Sequence, residues 1–161
     1  MEIVTLGNDV LRQKALPLQD IDDTVKALAQ EMIETMHRGR GIGLAGPQVG
    51  LLQRIFVVHI DGESPRVFIN PTIIGTSPET SQYEEGCLSI PGMYADVTRP
   101  EKVTIQAWNE RGRPFTLDAE GLLARVIQHE YDHLEGILFI DRLSVPKRNR
   151  LVALYDKKMR A

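Results

Sequence analysis

Residues 118–136 constrain this chain most, because they call for a buried helix that carries two imidazoles. Leu122, Leu123, Val126, Ile127 and Leu134 fall near helical spacing and define one broad apolar face. Asp118 is the expected N-cap and Gly136 the expected C′ residue. Within this run lies His129-Glu130-Tyr131-Asp132-His133. Positions i and i+4 of a helix share a face, so His129 and His133 point side by side and can hold one metal ion. Imidazoles in an apolar segment are costly to bury without partners, which favours ligands over two incidental core residues. Glu130 sits beside the first ligand, where a carboxylate can take a proton from a metal-bound water. The pentapeptide points to metal-assisted hydrolysis and leaves both the bond and the metal open.

A length of 161 residues suits one domain with one sizeable core, taken as residues 1–161. The net charge of −3 argues against a broad nucleic-acid-binding surface. The N-terminus has neither a basic n-region nor a long apolar run, so no signal peptide is expected. The apolar stretch at 55–58 is far too short to span a bilayer. Cys87 is the single cysteine, which precludes an intrachain disulfide and fits a reducing, cytoplasmic setting without a membrane partner.

The remaining pattern predicts a short helix over 9–16 ended by Pro17 and an amphipathic helix over 22–37. Asp22 or Asp23 would cap the latter, with Gly39 and Gly41 ending it. A glycine-rich loop occupies 41–50. Strands are expected at 54–60, at 67–70 stopping at Pro71, at 72–75, 81–85, 97–98 and 103–108, and at 115–117 after a turn at 109–112. A strand at 138–139 and a last helix over 146–161 complete the reading. The fold class is therefore α+β: short antiparallel strands in sheets packed around the central H-E-x-x-H helix, with a C-terminal helix.

A catalytic site of the zinc type needs a third protein ligand and an open position. Downstream of His133 lie Glu135, Asp141 and Asp156, none with a supporting pattern. Upstream, Cys87 stands between Gly86 and a short apolar stretch. A free Cys is most often a small buried hydrophobe, but beside H-E-x-x-H the ligand reading gains the advantage.

Three segments together resemble the signatures of the peptide deformylase family. They are Gly41-Ile-Gly-Leu-Ala-Gly-Pro-Gln48, Glu85-Gly-Cys-Leu-Ser89 and Gln128-His-Glu-Tyr-Asp-His-Leu134. Their order and spacing agree, and the likeness runs over nearly the whole chain. One departure is Gly46, where the first signature usually has Ala; a Gly there is expected to loosen the loop slightly. The resemblance implies a hydrolase that removes the N-formyl group from formyl-methionine at the start of newly made polypeptides and releases formate. It assigns Cys87, His129 and His133 to the metal and Glu130 to general acid–base chemistry. Gln48 and the backbone N–H of Leu88 would face the developing oxyanion. It implies one Fe(2+) per chain, with Zn(2+), Ni(2+) or Co(2+) as substitutes.

On the same basis Ile42, Gly43 and Gly86 would pair with an extended formyl-Met nascent polypeptide. Ile42, Leu122 and Val126 would line the methionine pocket with Tyr94 near its rim; the alternative is that Leu122 and Val126 are simply core, which for Leu122 reads equally well. The basic tail with Lys147, Arg148, Arg150, Lys157, Lys158 and Arg160 is either a solvated helix face or a dock for ribosomal RNA. Two rivals stand beside this reading. One is an H-E-x-x-H metalloprotease; the other is a non-enzymatic, ribosome-associated metal-binding module.

Overall fold

The computed structural model describes residues 1–160. Strands β1 (Gly43–Ala45), β2 (Ile55–Val58), β3 (Arg66–Thr76), β6 (Lys102–Trp108) and β7 (Pro114–Glu120) form an antiparallel sheet in the order β1-β2-β3-β6-β7. Strands β4 (Thr80–Cys87) and β5 (Ile90–Pro100) pair as a separate hairpin. Helices α1 (Asp23–Arg38) and α2 (Gly121–Leu134) cover the two faces of the larger sheet, and α3 (Val145–Arg160) packs on β5. This is the expected α+β arrangement.

Strand alternation explains the two-sided core. Successive side chains of a strand point to opposite faces. Phe56 and Val58 accordingly join Phe68, Ile105, Val126 and Ile127 under α2. Ile55 and Val57 face the other way and meet Met32 and Met36 of α1. That is why 55–58 is apolar without interruption. Fully burying each such side chain contributes about 1.5–3 kcal/mol. Phe56 and Phe68 also stack across β2 and β3 with ring centroids 4.7 Å apart.

Several boundaries differ from the sequence pattern. The first helix is only a 3-10 turn, Asp9–Arg12, capped by Asn8. Strand β3 does not stop at Pro71 but runs through it, because a register shift there frees the position from a ladder hydrogen bond. Asn70 takes φ 49° at the bulge, and its side-chain amide is tied to the backbone of Leu18 at 2.8 and 2.9 Å. The hairpin strands β4 and β5 are longer than the apolar pattern suggested, because their outer faces are polar and exposed. Asp118 does not cap the motif helix. It lies in β7 and accepts a hydrogen bond from Thr104 Oγ1 at 2.7 Å; the helix starts at Gly121, whose φ of 63° swings the chain from strand into helix. No strand forms at 138–139; Phe139–Arg142 is a 3-10 turn held by Asp141, which accepts from the Leu138 N–H. Helix α1 bears out its reading, with Asp22 as N-cap and Gly39 as C-cap. Residue 161 of the predicted last helix lies outside the described residues. No helix among the described residues is long and apolar enough to cross a membrane.

Candidate metal centre and active site

Helix α2 carries Arg125, His129 and His133 at four-residue intervals, so the three project from one face toward the β4–β5 hairpin. The hairpin register shifts by three residues between Gly86, which pairs with Tyr94, and Cys87, which pairs with Ile90 across the tight turn through Leu88 and Ser89. That slip turns the Cys87 side chain onto the helix, with Sγ 3.4 Å from His133 Nε2. Ligand atoms of Cys87, His129 and His133 all lie within 4.8 Å of one another. The imidazoles meet edge to face at 5.2 Å, and Phe139 stacks on His129 at 6.0 Å.

Gln48 belongs to the 3-10 turn Gly46–Val49 that follows β1. Its Oε1 accepts from the Ala45 N–H at 3.0 Å, which braces the loop. Its Nε2 donates to Ser89 Oγ at 3.2 Å and to Cys87 Sγ at 3.4 Å, which aims the amide into the site. Both readings of this residue are thus realised by its two ends.

A buried charge network orients the ligands. Glu85 Oε1 accepts from His129 Nδ1 at 2.8 Å, leaving Nε2 of that ring for the metal side. Glu85 also accepts from Arg99 Nε at 2.7 Å, Arg99 Nη2 at 3.0 Å and Arg125 Nη1 at 2.8 Å. Arg99 reaches Asp132 at 2.9 Å, and Arg142 grips both oxygens of Asp132 at 3.1 and 2.8 Å. Burial works to raise the Glu85 carboxyl, but hydrogen bonds from His129 and Arg99 outweigh it and hold it well below the usual carboxylate range.

Burial also works against protonation of His129, yet the Cys87 and Glu85 contacts raise it well above the ordinary imidazole range in the metal-free chain. His133 is lowered well below that range by burial and by the neighbouring charge on His129, so it is a neutral ligand in waiting. Burial pushes Glu130 up to about 7. Glu130 Oε1 and His133 Nδ1 are buried and have no hydrogen-bond partner among the described residues. Orphaned atoms of this kind mark a place where a further group is accommodated. One sulfur and two imidazole nitrogens, with a buried carboxylate alongside, fit a transition-metal ion with a hydrolytic water.

The site opens into a cleft of about 610 Å³. Cys87, His129, Glu130 and Gln48 line its floor, and Ile42, Gly43, Gly86, Leu88, Tyr94, Leu122 and Val126 line its walls. Two glycines are there for close approach. A Cβ on Gly43 would lie 2.5 Å from Glu130 Oε2, and one on Gly86 would lie 2.5 Å from the Tyr94 ring.

Residues 1–149 match the family model described as Polypeptide deformylase. The chain is 49% identical over 159 residues to peptide deformylase of Borreliella burgdorferi, covering 98% of this chain and 96% of that one. It is 56% identical over 135 residues to peptide deformylase 1 of Clostridium perfringens, covering 83% of this chain and 91% of that one. This chain belongs to the polypeptide deformylase family. Solved deformylase structures agree. The one from Legionella pneumophila superposes with TM-score 0.93 at 42% identity, over 99% of this chain and 95% of that one. That from Synechococcus elongatus, a complex with actinonin, gives 0.92 at 45%, over 98% and 87%. Membership makes the chain a hydrolase with peptide deformylase function, and its Cys–His–His cluster is the metal site typical of deformylases.

All the site residues expected from the deformylase signatures border one cleft or touch a residue that does. Leu122 is 36% exposed on the cleft wall, whereas Val126 is buried beneath it, so the core alternative for Leu122 is not realised. Gly46 has a tighter role than loosening the loop. A Cβ there would meet the backbone oxygens of Gln53 and Leu51 at 2.6 and 2.9 Å. Sequence reasoning missed Glu85, Arg99, Arg125 and Arg142 and left Asp132 without a role. Two of these carried a signal: Glu85 opens the second signature, and Arg125 precedes His129 by one helical repeat. Arg99 and Arg142 carried none, because only tertiary packing brings β5 and the 139–142 turn to α2.

Proposed function

We propose that this deformylase hydrolyses the N-formyl bond of formyl-methionine on newly made polypeptides, with Cys87, His129 and His133 holding one Fe(2+) ion. The observation that carries this reading is the convergence of Cys87, His129 and His133 beside the buried Glu130 carboxylate, next to a glycine-lined cleft. A formyl carbon carries only hydrogen, which suits a site where glycine at 43 lets the backbone lie close against Glu130. When bound, the metal would supply Lewis acidity toward the formyl oxygen and lower the pKa of a water.

The chain's own residues do the rest. Glu130 accepts the proton of the attacking water and returns it to the departing amine. Gln48 Nε2 and the Leu88 N–H donate to the oxygen on which negative charge develops. Glu85 holds the His129 ring in its ligating orientation. Ile42, Gly43 and Gly86 offer backbone groups to an extended peptide, supported by the outer edge of β1, which pairs only with β2. Ile42, Leu122 and Val126 take the methionine side chain, with Tyr94 at the rim.

The test is turnover of formyl-Met-Ala-Ser against its acetylated counterpart and against an internal peptide. Formyl-selective release of formate is expected; cleavage of the internal bond would instead indicate a protease. Glu130→Gln should retain bound metal while losing turnover, and full activity in that variant would overturn the assignment. A thiolate-bound Fe(2+) should make activity decay in air and persist anaerobically; equal lifetimes would count against iron. For ribosome docking the supporting feature is α3, with Arg150 and Lys157 exposed beside Leu154 and Met159. Charge reversal at Arg150 and Lys157 should abolish co-sedimentation with ribosomes at low salt. Truncation is unsuitable, because Leu151 and Tyr155 are part of the core.

A further inference from the structure

We infer that Arg40 selects formyl-peptides with an acidic residue at the third or fourth position, by facing the emerging chain at the cleft rim. This rests on the formyl-peptide reading above. Arg40 lines the cleft between Gly39 and Gly41, and it adopts φ 60°, a left-handed conformation that costs a non-glycine residue stability. The flanking glycines pack closely on Leu88. A Cβ on Gly39 would lie 3.2 Å from Leu88 Cδ1, and one on Gly41 would lie 2.7 Å from the same atom. The loop is therefore clamped on Leu88 through its glycines.

The backbone of Arg40 is already committed, because its N–H donates to the His37 carbonyl at 3.0 Å and closes the end of α1. The side chain is exposed and, among the described residues, has no ion pair or side-chain hydrogen bond. An extended chain advances about 3.3 Å per residue. Arg40 precedes Gly43 by three residues and lines the same cleft, so a peptide with its formyl end beside Glu130 and Gly43 that runs out toward that loop would bring its third or fourth residue to Arg40. The cleft lining also carries Tyr83, Tyr94 and Glu84, the one exposed carboxylate among the lining residues, since Glu85 and Glu130 are buried. Exposure limits the effect: an exposed pair of this kind is worth about two- to fivefold in kcat/KM.

The experiment uses the metal-loaded enzyme and the series formyl-Met-Ala-Xaa-Ser and formyl-Met-Ala-Ser-Xaa, with Xaa as Glu, Gln or Lys. In the native protein Glu should exceed Gln, and Gln exceed Lys, by about two- to fivefold each in at least one series, expressed in KM rather than kcat. The preference should fade at about 0.5 M salt, where screening is short-ranged. Asn and Gly tolerate the left-handed backbone, so Arg40→Asn and Arg40→Gly keep the loop foldable. Both should bring the Glu-to-Gln ratio to one or below, because Glu84 remains, while Arg40→Lys should retain the preference. Equal rates for Glu and Gln in both series, or a ratio unchanged in Arg40→Asn, would overturn the inference while leaving deformylation standing. Absence of turnover on every peptide would sink both.

Discussion

Replacing Glu85 by Gln tests whether the buried charge network, rather than the ligands alone, sustains the metal centre. The side chain is buried and receives its hydrogen bonds from His129 Nδ1, from Arg99 Nε and Nη2, and from Arg125 Nη1. Gln keeps the volume but removes the charge and brings an NH2 toward guanidinium groups that can only donate. Arg99 would retain Asp132, whereas Arg125 would be left with the carbonyl oxygens of Val97 and Ser81 and the Ser81 hydroxyl. Leaving a buried charge without its counter-ion costs about 3–5 kcal/mol, and the surviving oxygens place this case near the lower end. For a chain of this length each kcal/mol corresponds to about 2–4 °C, so the melting temperature should fall by roughly 6–12 °C. The His129 ring also loses its anchor, which should weaken metal binding by about 10–100-fold in a chelator competition. Arg125→Met combined with Glu85→Gln should cost less than the two single changes summed, since the stranded cation is gone. Strict additivity of melting shifts, together with a metal affinity unchanged in Glu85→Gln, would refute the reasoning.

Gly46→Ala should destabilise by about 1–3 kcal/mol, because its methyl meets the backbone oxygens of Gln53 and Leu51 rather than a flexible side chain. The displaced turn carries Gln48, so kcat should fall as well; an unaltered melting curve with unaltered kcat would show that the loop yields freely. Asp141 is raised by burial but lowered more by Arg12, by the Leu138 N–H and by Arg148, so its folded-state pKa lies below the ordinary value. A depressed carboxylate adds stability that is complete above its unfolded pKa and is lost as pH falls through the folded one. The stability gap between native protein and Asp141→Asn should therefore be full at pH 7 and shrink below about pH 4; a gap that widens in acid would contradict this sign.

What could be read from the linear chain was whatever depends on spacing within one element. The four-residue interval of His129 and His133, the amphipathic pattern of α1 and the apolar strand run within 54–60 are local properties, and each appears where the pattern put it. Element ends were less legible because they depend on partners. Pro71 reads as a strand terminator until the bulge beside Asn70 removes the need for its missing donor. Asp118 reads as a helix cap until Thr104 claims it from the neighbouring strand. The ligand set came from matching separate signatures, not from local periodicity, since nothing in a one-dimensional pattern brings Cys87 to His133.

The sequence by itself determined the chemical inventory: one thiol, two imidazoles, a general base and an amide donor, carried by three separate signature segments. Tertiary structure alone decided how those groups are held. Glu85, Arg99, Arg125 and Asp132 come from β4, β5 and α2, and their charges are tolerable in the interior only when packing sets them against one another, with the more exposed Arg142 of the following turn closing on Asp132. A motif records which atoms can react, whereas the compensation of buried charge is a long-range property and becomes visible only once the chain has closed on itself.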